Sequence, residues 1–119
     1  MDARHEFGRR AEGIAERYFQ LKGFELVARN FRTKRGELDL VMRKGKLVVF
    51  LEVKGRTKEW ENSAWQSLWR GKKHRIAVAA RIFMAKFRDQ LEGADEFRCD
   101  LVFVTQNRVA EVYSGESLI

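Results

Sequence analysis

Gly36-Glu37-Leu38-Asp39-Leu40-Val41-Met42-Arg43, then Lys44-Gly45, then Lys46-Leu47-Val48-Val49-Phe50-Leu51-Glu52-Val53-Lys54, is the stretch whose reading sets the fold. Two Leu- and Val-rich runs of strand length flank a Lys-Gly pair, which suits a tight hairpin. Leu47 to Leu51 is apolar without interruption, the pattern of a strand buried on both faces. Charged residues stand inside or at the ends of both runs, where a lone carboxylate is costly to bury without a partner or a metal. Glu52 and Lys54 are two apart on a strand and share a face, as do Glu37 and Asp39. With Lys44-Gly45 as the loop, Arg43 pairs with Lys46, Asp39 falls opposite Phe50, and Glu37 falls opposite Glu52. All four charged residues then converge on one side, whereas a loop one residue longer would separate the pairs.

Outward from the hairpin, apolar periodicity supplies the remaining elements. Phe7, Ala11, Ile14, Tyr18 and Leu21 recur at helical spacing, and Gly23 is a natural stop. Phe24 to Phe31 reads as a strand with Phe24, Leu26 and Ala28 alternating against Glu25 and Arg29, followed by a basic turn from Asn30 to Arg35. Gly55 to Ser63 is polar and reads as loop. Ala64 to Leu91 is helical, with Ile76, Ala80, Phe83, Phe87 and Leu91 facing inward, a break or bend expected at Gly71 and a stop at Gly93. Phe97 to Thr105 is a further apolar strand, and Val109 to Tyr113 a short last one after a Gln106-Asn107 turn. The order α-β-β-β-α-β-β predicts a three-layer α-β-α domain of the α/β class with a mixed sheet. The long helix between the third and fourth strands allows a parallel pairing there. With no linker and no repeat, residues 1–119 read as a single domain.

Composition narrows the functional classes. Lys and Arg number 24 against 17 Asp and Glu, a formal charge of +7 that points to an acidic partner, nucleic acid foremost, or simply keeps a small chain soluble. Nine Phe and three Trp argue against disorder. One cysteine, Cys99, excludes a disulfide framework and a cysteine-based zinc site. No apolar run approaches the roughly 20 residues of a membrane span, and Met1 to Arg10 lacks the apolar stretch of a signal peptide. A cytoplasmic protein with no membrane partner is expected.

Clustered carboxylates repel one another unless a cation lies between them, and Mg²⁺ prefers such oxygen ligands. A nearby lysine can then orient a water or offset charge developing on a phosphate. The same spacing also suits a plain ion pair at a strand end, with Lys54 neutralising Glu52. Asp100, mid-strand among apolar residues, reads as a structural carboxylate paired with a cation. Glu37 fits either the metal surroundings or a partnership with Arg35 or Arg56.

Asp39 followed on the next strand by Glu52-Val53-Lys54 resembles the D…E-x-K signature of the PD-(D/E)xK, restriction-endonuclease-like nucleases. More closely, the chain resembles the YraN-like family of small bacterial proteins. The matching stretches are Gly8-Arg9-Arg10-Ala11-Glu12, Gly23-Phe24, Asn30-Phe31-Arg32, Arg35-Gly36-Glu37-Leu38-Asp39-Leu40, Phe50 to Arg56, Lys72 or Lys73, and Arg98 to Val102. The resemblance implies a Mg²⁺- or Mn²⁺-dependent endonuclease. Asp39, Glu52 and the Val53 carbonyl would be the metal ligands, and Lys54 would position the attacking water. It also places Glu12 where a first-helix glutamate supports the metal in related resolvase-like nucleases. One departure is Glu59-Trp60-Glu61-Asn62 and Trp65 to Trp69, where the family usually has a Gly- and Pro-containing approach to the second helix.

Arg32, Arg35, Arg56, Lys72 and Lys73 are the candidate phosphate contacts. The expected partner is DNA, branched or single-stranded forms included. The alternatives are a non-catalytic nucleic-acid-binding module, or a protein-interaction domain using Trp60, Trp65 and Trp69, which could also form a homodimer surface.

Overall fold

The turn joining the two central strands is Gly45-Lys46, with Gly45 at φ +59°, a left-handed value that glycine adopts without strain. A computed structural model describes residues 3–55, 64–105 and 107–117, and the side chains among them except those of 3–7, 64–72, 110 and 115–117. The elements are α1 (Ala3–Leu21), β1 (Glu25–Thr33), β2 (Gly36–Lys44), β3 (Leu47–Gly55), α2 (Ala64–Lys86), a 3-10 turn (Arg88–Leu91), β4 (Glu96–Thr105) and β5 (Arg108–Ser117). The strands lie in the order β1-β2-β3-β4-β5. β3 and β4 are parallel from Leu47 opposite Glu96 to Gly55 opposite Val104, and the other neighbours are antiparallel. The expected mixed sheet and its parallel crossover are therefore present.

Two apolar clusters form the layers. Ala11, Ala15 and Phe19 of α1 bury Leu40, Met42, Val49, Leu51, Val53, Val102 and Val104 on one face. Ile76, Ala79, Ala80 and Phe83 of α2 bury Leu38, Val41, Val48, Phe50 and Cys99 on the other. β3 contributes alternate residues to both clusters, which is why its sequence is continuously apolar.

Several expectations are corrected. The inward face of α1 is centred on Ala11, Ala15 and Phe19, with Ile14 and Tyr18 at its margins, and Leu21 is 73% exposed. Small alanines let the helix approach the sheet, and Leu21 ends it. There Gly23 (φ +94°) closes a Schellman cap through Phe24 N–H to Phe19 C=O and Gly23 N–H to Gln20 C=O, both 3.0 Å, with the Phe19 and Phe24 rings in contact. In β1 a bulge between Leu26 and Ala28 breaks the expected alternation, so Val27 and Ala28 both pack toward α2. Only Lys34 and Arg35 form the turn that the basic stretch predicts; Asn30 to Thr33 remain strand. Helix α2 runs through Gly71 without a break, since one glycine costs only about 1 kcal/mol in a packed helix. β5 extends to Ser117, beyond the expected Tyr113. Asp100 is fully buried and receives two bonds from Arg98, Nε to Oδ1 at 2.9 Å and Nη2 to Oδ2 at 3.1 Å, the structural role expected of it.

The β1–β2 turn is shaped by one side chain and one missing side chain. The Thr33 hydroxyl accepts the N–H groups of Arg35 (3.1 Å) and Gly36 (3.0 Å) and donates to the Gly36 carbonyl (2.8 Å). Gly36 lies against α2 so closely that an added Cβ would stand 2.4 Å from the Arg75 carbonyl oxygen. Gly36→Ala is expected to lower stability by about 1–3 kcal/mol, because turn and helix must separate. Gly13→Ala, in an exposed helix position where a Cβ meets nothing within 4 Å, should raise stability by roughly 1 kcal/mol. Urea unfolding of both variants measures the pair, and equal effects would show that the close contact is not enforced.

Candidate metal centre

The β2–β3 ladder runs from Lys44 opposite Leu47 to Leu40 opposite Leu51. The register thus differs by two residues from the one expected: Phe50 faces Val41, not Asp39. A shift of two preserves which face each residue of a regular strand uses, so the shift alone does not separate the charges. The ladder ends because β2 is irregular at Asp39. Leu38 packs with α2 but Leu40 with α1, although regular strand residues two apart share a face. The β1–β2 pairing skips the same level, passing from Arg29 opposite Leu40 to Phe31 opposite Leu38, with Asn30 between them at φ +52°.

Asp39 occupies this break and accepts the Val53 N–H on Oδ2 at 2.6 Å. A side chain thereby replaces a ladder partner that β3 would otherwise lack. In an extended strand a residue's N–H and C=O leave on the same edge, so the Val53 carbonyl faces the same opening. Glu52, only 6% exposed, is held by Lys54 Nζ at 3.0 Å from Oε1. Burial and the neighbouring Glu52 charge push the Asp39 carboxyl up to about 7, with Glu12 and Glu37 adding smaller repulsions and the Val53 N–H opposing them. Burial likewise raises Glu12, against a hydrogen bond with Asn30. Glu12 is therefore within electrostatic reach of the cluster, but it lines a groove between α1 and β1. Glu37 is exposed, 3.5 Å from Arg32 Nε, which spends part of both charges on each other.

A cleft of about 270 Å³ opens beside Glu52, lined by Thr33, Lys34, Arg35, Gly36, Glu37, Arg75 and Ile76. Of the candidate phosphate contacts, Arg35 lines this cleft, Arg32 stands exposed beside it on Glu37, and Lys73 is exposed on α2. Arg56, the Lys72 side chain, Trp60 and the Trp65 and Trp69 side chains lie outside the described residues. The geometry adds Thr33, Lys34 and Arg75 to the cleft and Asn30 to the carboxylate cluster. Thr33-Lys34-Arg35-Gly36 carries the first in sequence as a hydroxyl three residues before a glycine. Arg75 has no such signal, since its position depends on the docking of α2. Cys99 is buried and its thiol is pushed up to about 12, mainly by burial, so it is no nucleophile.

The model of the uncharacterised protein family UPF0102 matches residues 11–104. The chain belongs to this family. It is 43% identical over 81 residues to a UPF0102 protein of Hahella chejuensis, covering 68% of this chain and 65% of that one. With a UPF0102 protein of Anaeromyxobacter sp. (strain Fw109-5) it shares 42% over 98 residues, 82% and 71% of the two chains. With the UPF0102 protein YraN of Salmonella newport the figure is 34% over 106 residues, 89% and 80%. The matched region thus spans just under two thirds of the Hahella protein. The family stretch from 11 to 104 contains Glu12, the break at Asn30 and Asp39, and the Glu52-Val53-Lys54 strand end. Among the described residues no helix is long and apolar enough to cross a membrane.

Among the described residues no three Asp, Glu, His or Cys side chains stand together as a ready metal cage. The donor set nevertheless suits a hard divalent ion, because Mg²⁺ keeps several waters and commonly takes only one or two carboxylates. Asp39 and Glu52, with the Val53 carbonyl, are such a set.

The raised Asp39 acidity has a consequence for stability. The folded chain keeps this carboxyl protonated up to about pH 7, whereas the ordinary value is 3.8. Between those values the folded state holds more protons than the unfolded one, so stability falls as pH rises. Asp39→Asn keeps an oxygen for the Val53 N–H and removes the charge. Without divalent cation it should match the parent near pH 4 and exceed it above pH 7 by on the order of 1–3 kcal/mol, read from urea unfolding across pH. No gain at neutral pH would show that this carboxylate is not strained by its neighbours.

Proposed function

We propose that this UPF0102 chain is a metal-dependent nuclease of the PD-(D/E)xK type, acting on DNA phosphodiesters, branched or single-stranded DNA among them. The observation that carries the reading is the pairing of Asp39 with Val53 N–H at 2.6 Å next to buried Glu52, with Lys54 3.0 Å from Glu52. Two carboxylates and a lysine at the parting of two strands suit phosphodiester hydrolysis better than they suit a fold, since mutual repulsion costs stability.

Mg²⁺ or Mn²⁺ held by Asp39, Glu52 and the Val53 carbonyl would polarise a phosphoryl oxygen and make a bound water more acidic. The protein's own part is positioning. Asp39 is fixed by the backbone of the strand that carries Glu52, so both carboxylates move as one unit. Lys54 places its ammonium at the Glu52 edge, where it can hold a water or offset charge developing on the phosphate. Lys34, Arg35 and Arg75 surround the cleft and attract phosphates without regard to sequence. The chain would act in the cytoplasm, alone or as a homodimer.

Incubation with duplex, single-stranded and junction DNA in Mg²⁺ or Mn²⁺ tests the reading. Cleavage should fall at least about 100-fold in Asp39→Ala and in Lys54→Ala, with DNA binding retained. Salt-dependent binding without cleavage of any substrate would replace the nuclease with a binding module. Loss of salt-dependent binding altogether would leave the protein-interaction reading.

A further inference from the structure

The cleft at Glu52 opens on the α2 face of the sheet. A second groove, of about 460 Å³, opens on the α1 face, between α1 and β1. Arg9, Arg17 and Arg29 line it together with Glu12, Glu16 and Asn30. The acidic members cancel only part of the basic charge. Glu16 is spent on Arg29, with Nε to Oε1 and Nη2 to Oε2 both at 2.9 Å. Glu12 is half-buried and hydrogen-bonded with Asn30. Arg9 and Arg17 remain, exposed, with no ion pair among the described residues.

The two grooves meet at one strand. Asn30 lines the α1 groove and Thr33 the Glu52 cleft, both on β1, the edge strand. Three residue steps along the strand separate them, about 10 Å. A flexible polyanion leaving the front cleft past Lys34 and Arg35 therefore meets the Arg9–Arg17 groove after a short passage over the β1 edge. A folded duplex is too stiff to turn round one strand, given a persistence length of roughly 150 base pairs. A single strand is not.

We propose that the α1–β1 groove is a second phosphate-binding site, which takes the backbone of a single-stranded nucleic acid after it crosses the β1 edge from the Glu52 cleft. The inference rests on the reading of that cleft as a nucleic-acid site and names its substrate as a strand unpaired on one flank. Arg9 and Arg17 would contact phosphates. Arg29 would hold Glu16 out of their way.

The test is the salt dependence of binding, by fluorescence anisotropy in chelator, so that no cleavage intervenes. Labelled single-stranded oligonucleotides of about 4 and about 16 nucleotides span the lengths that small single-strand-binding domains occupy. For the longer oligonucleotide, Arg9→Ala/Arg17→Ala should reduce the slope of log affinity against log salt by about 1.4, two contacts at roughly 0.7 each. For the shorter one the slope should not change. Lys34→Ala/Arg35→Ala should weaken both lengths. An unchanged slope for the longer strand in the Arg9/Arg17 variant overturns the second site. Binding indifferent to Lys34 and Arg35 overturns the front-cleft reading instead. Matching thermal unfolding of the variants and the parent confirms that exposed arginines, not folding, are being measured.

Discussion

The hydrogen bond from the Val53 N–H to Asp39 is the constraint on which the site depends. β2 and β3 pair regularly only up to Leu40 and Leu51. Past that point β3 needs another acceptor for its backbone, because a buried N–H without a partner costs about 1–3 kcal/mol. Asp39 supplies it at 2.6 Å. The same bond fixes a carboxylate beside Glu52 and opens the sheet next to the Val53 carbonyl. Backbone satisfaction and placement of chemistry are one interaction here.

The cleft beside that opening is built by a different economy. Thr33 closes the β1–β2 turn from within, and Gly36 lets the turn touch α2 at the Arg75 carbonyl. A side chain at Gly36 would hold the helix away and widen the cleft. Three basic residues from two separate elements, Lys34 and Arg35 on the turn and Arg75 on the helix, thus face one space. Two carboxylates beside this space already meet a cation: Glu37 takes Arg32 and Glu52 takes Lys54.

Much of the fold was legible in the sequence because hydrophobic period is a direct consequence of burial. The continuous run Leu47 to Leu51 marked a central strand, and the long helix before Phe97 marked the parallel crossover. Asp39, Glu52 and Lys54 stood out because charge in an apolar strand is expensive. What was not legible depends on irregularity or on docking. The bulge at Val27 and the paired break at Asn30 and Asp39 change faces mid-strand, which a period-two pattern cannot show. The true turn, Gly45-Lys46, moved the register by two residues, and the face change at Asp39 put Leu38 and Leu40 on opposite sides, so the pairing expected for Asp39 and Glu37 did not form. The face of α1 was read on Phe7, Ala11, Ile14, Tyr18 and Leu21; Ala11 is central to it, but Ala15 and Phe19 complete its centre, so the face is turned from the one expected.

A comparison within one sheet separates a carboxylate that serves the fold from one that serves something else. Asp100 is fully buried and meets a two-pronged Arg98, so its charge has a matched partner of fixed geometry. Asp39 is only partly buried and meets a single N–H, and burial with the nearby Glu52 charge, and less so those of Glu12 and Glu37, pushes its carboxyl up to about 7. A fold with no further demand on that position would be more stable with an amide there, which keeps an oxygen for the Val53 N–H without the charge. Repulsion among oxygens is relieved only by a proton or by a cation, and a divalent cation relieves it best. In the proposed reading, the mutual repulsion of these carboxylates and an affinity for a hard metal would have one cause, both set by the parting of β2 from β3.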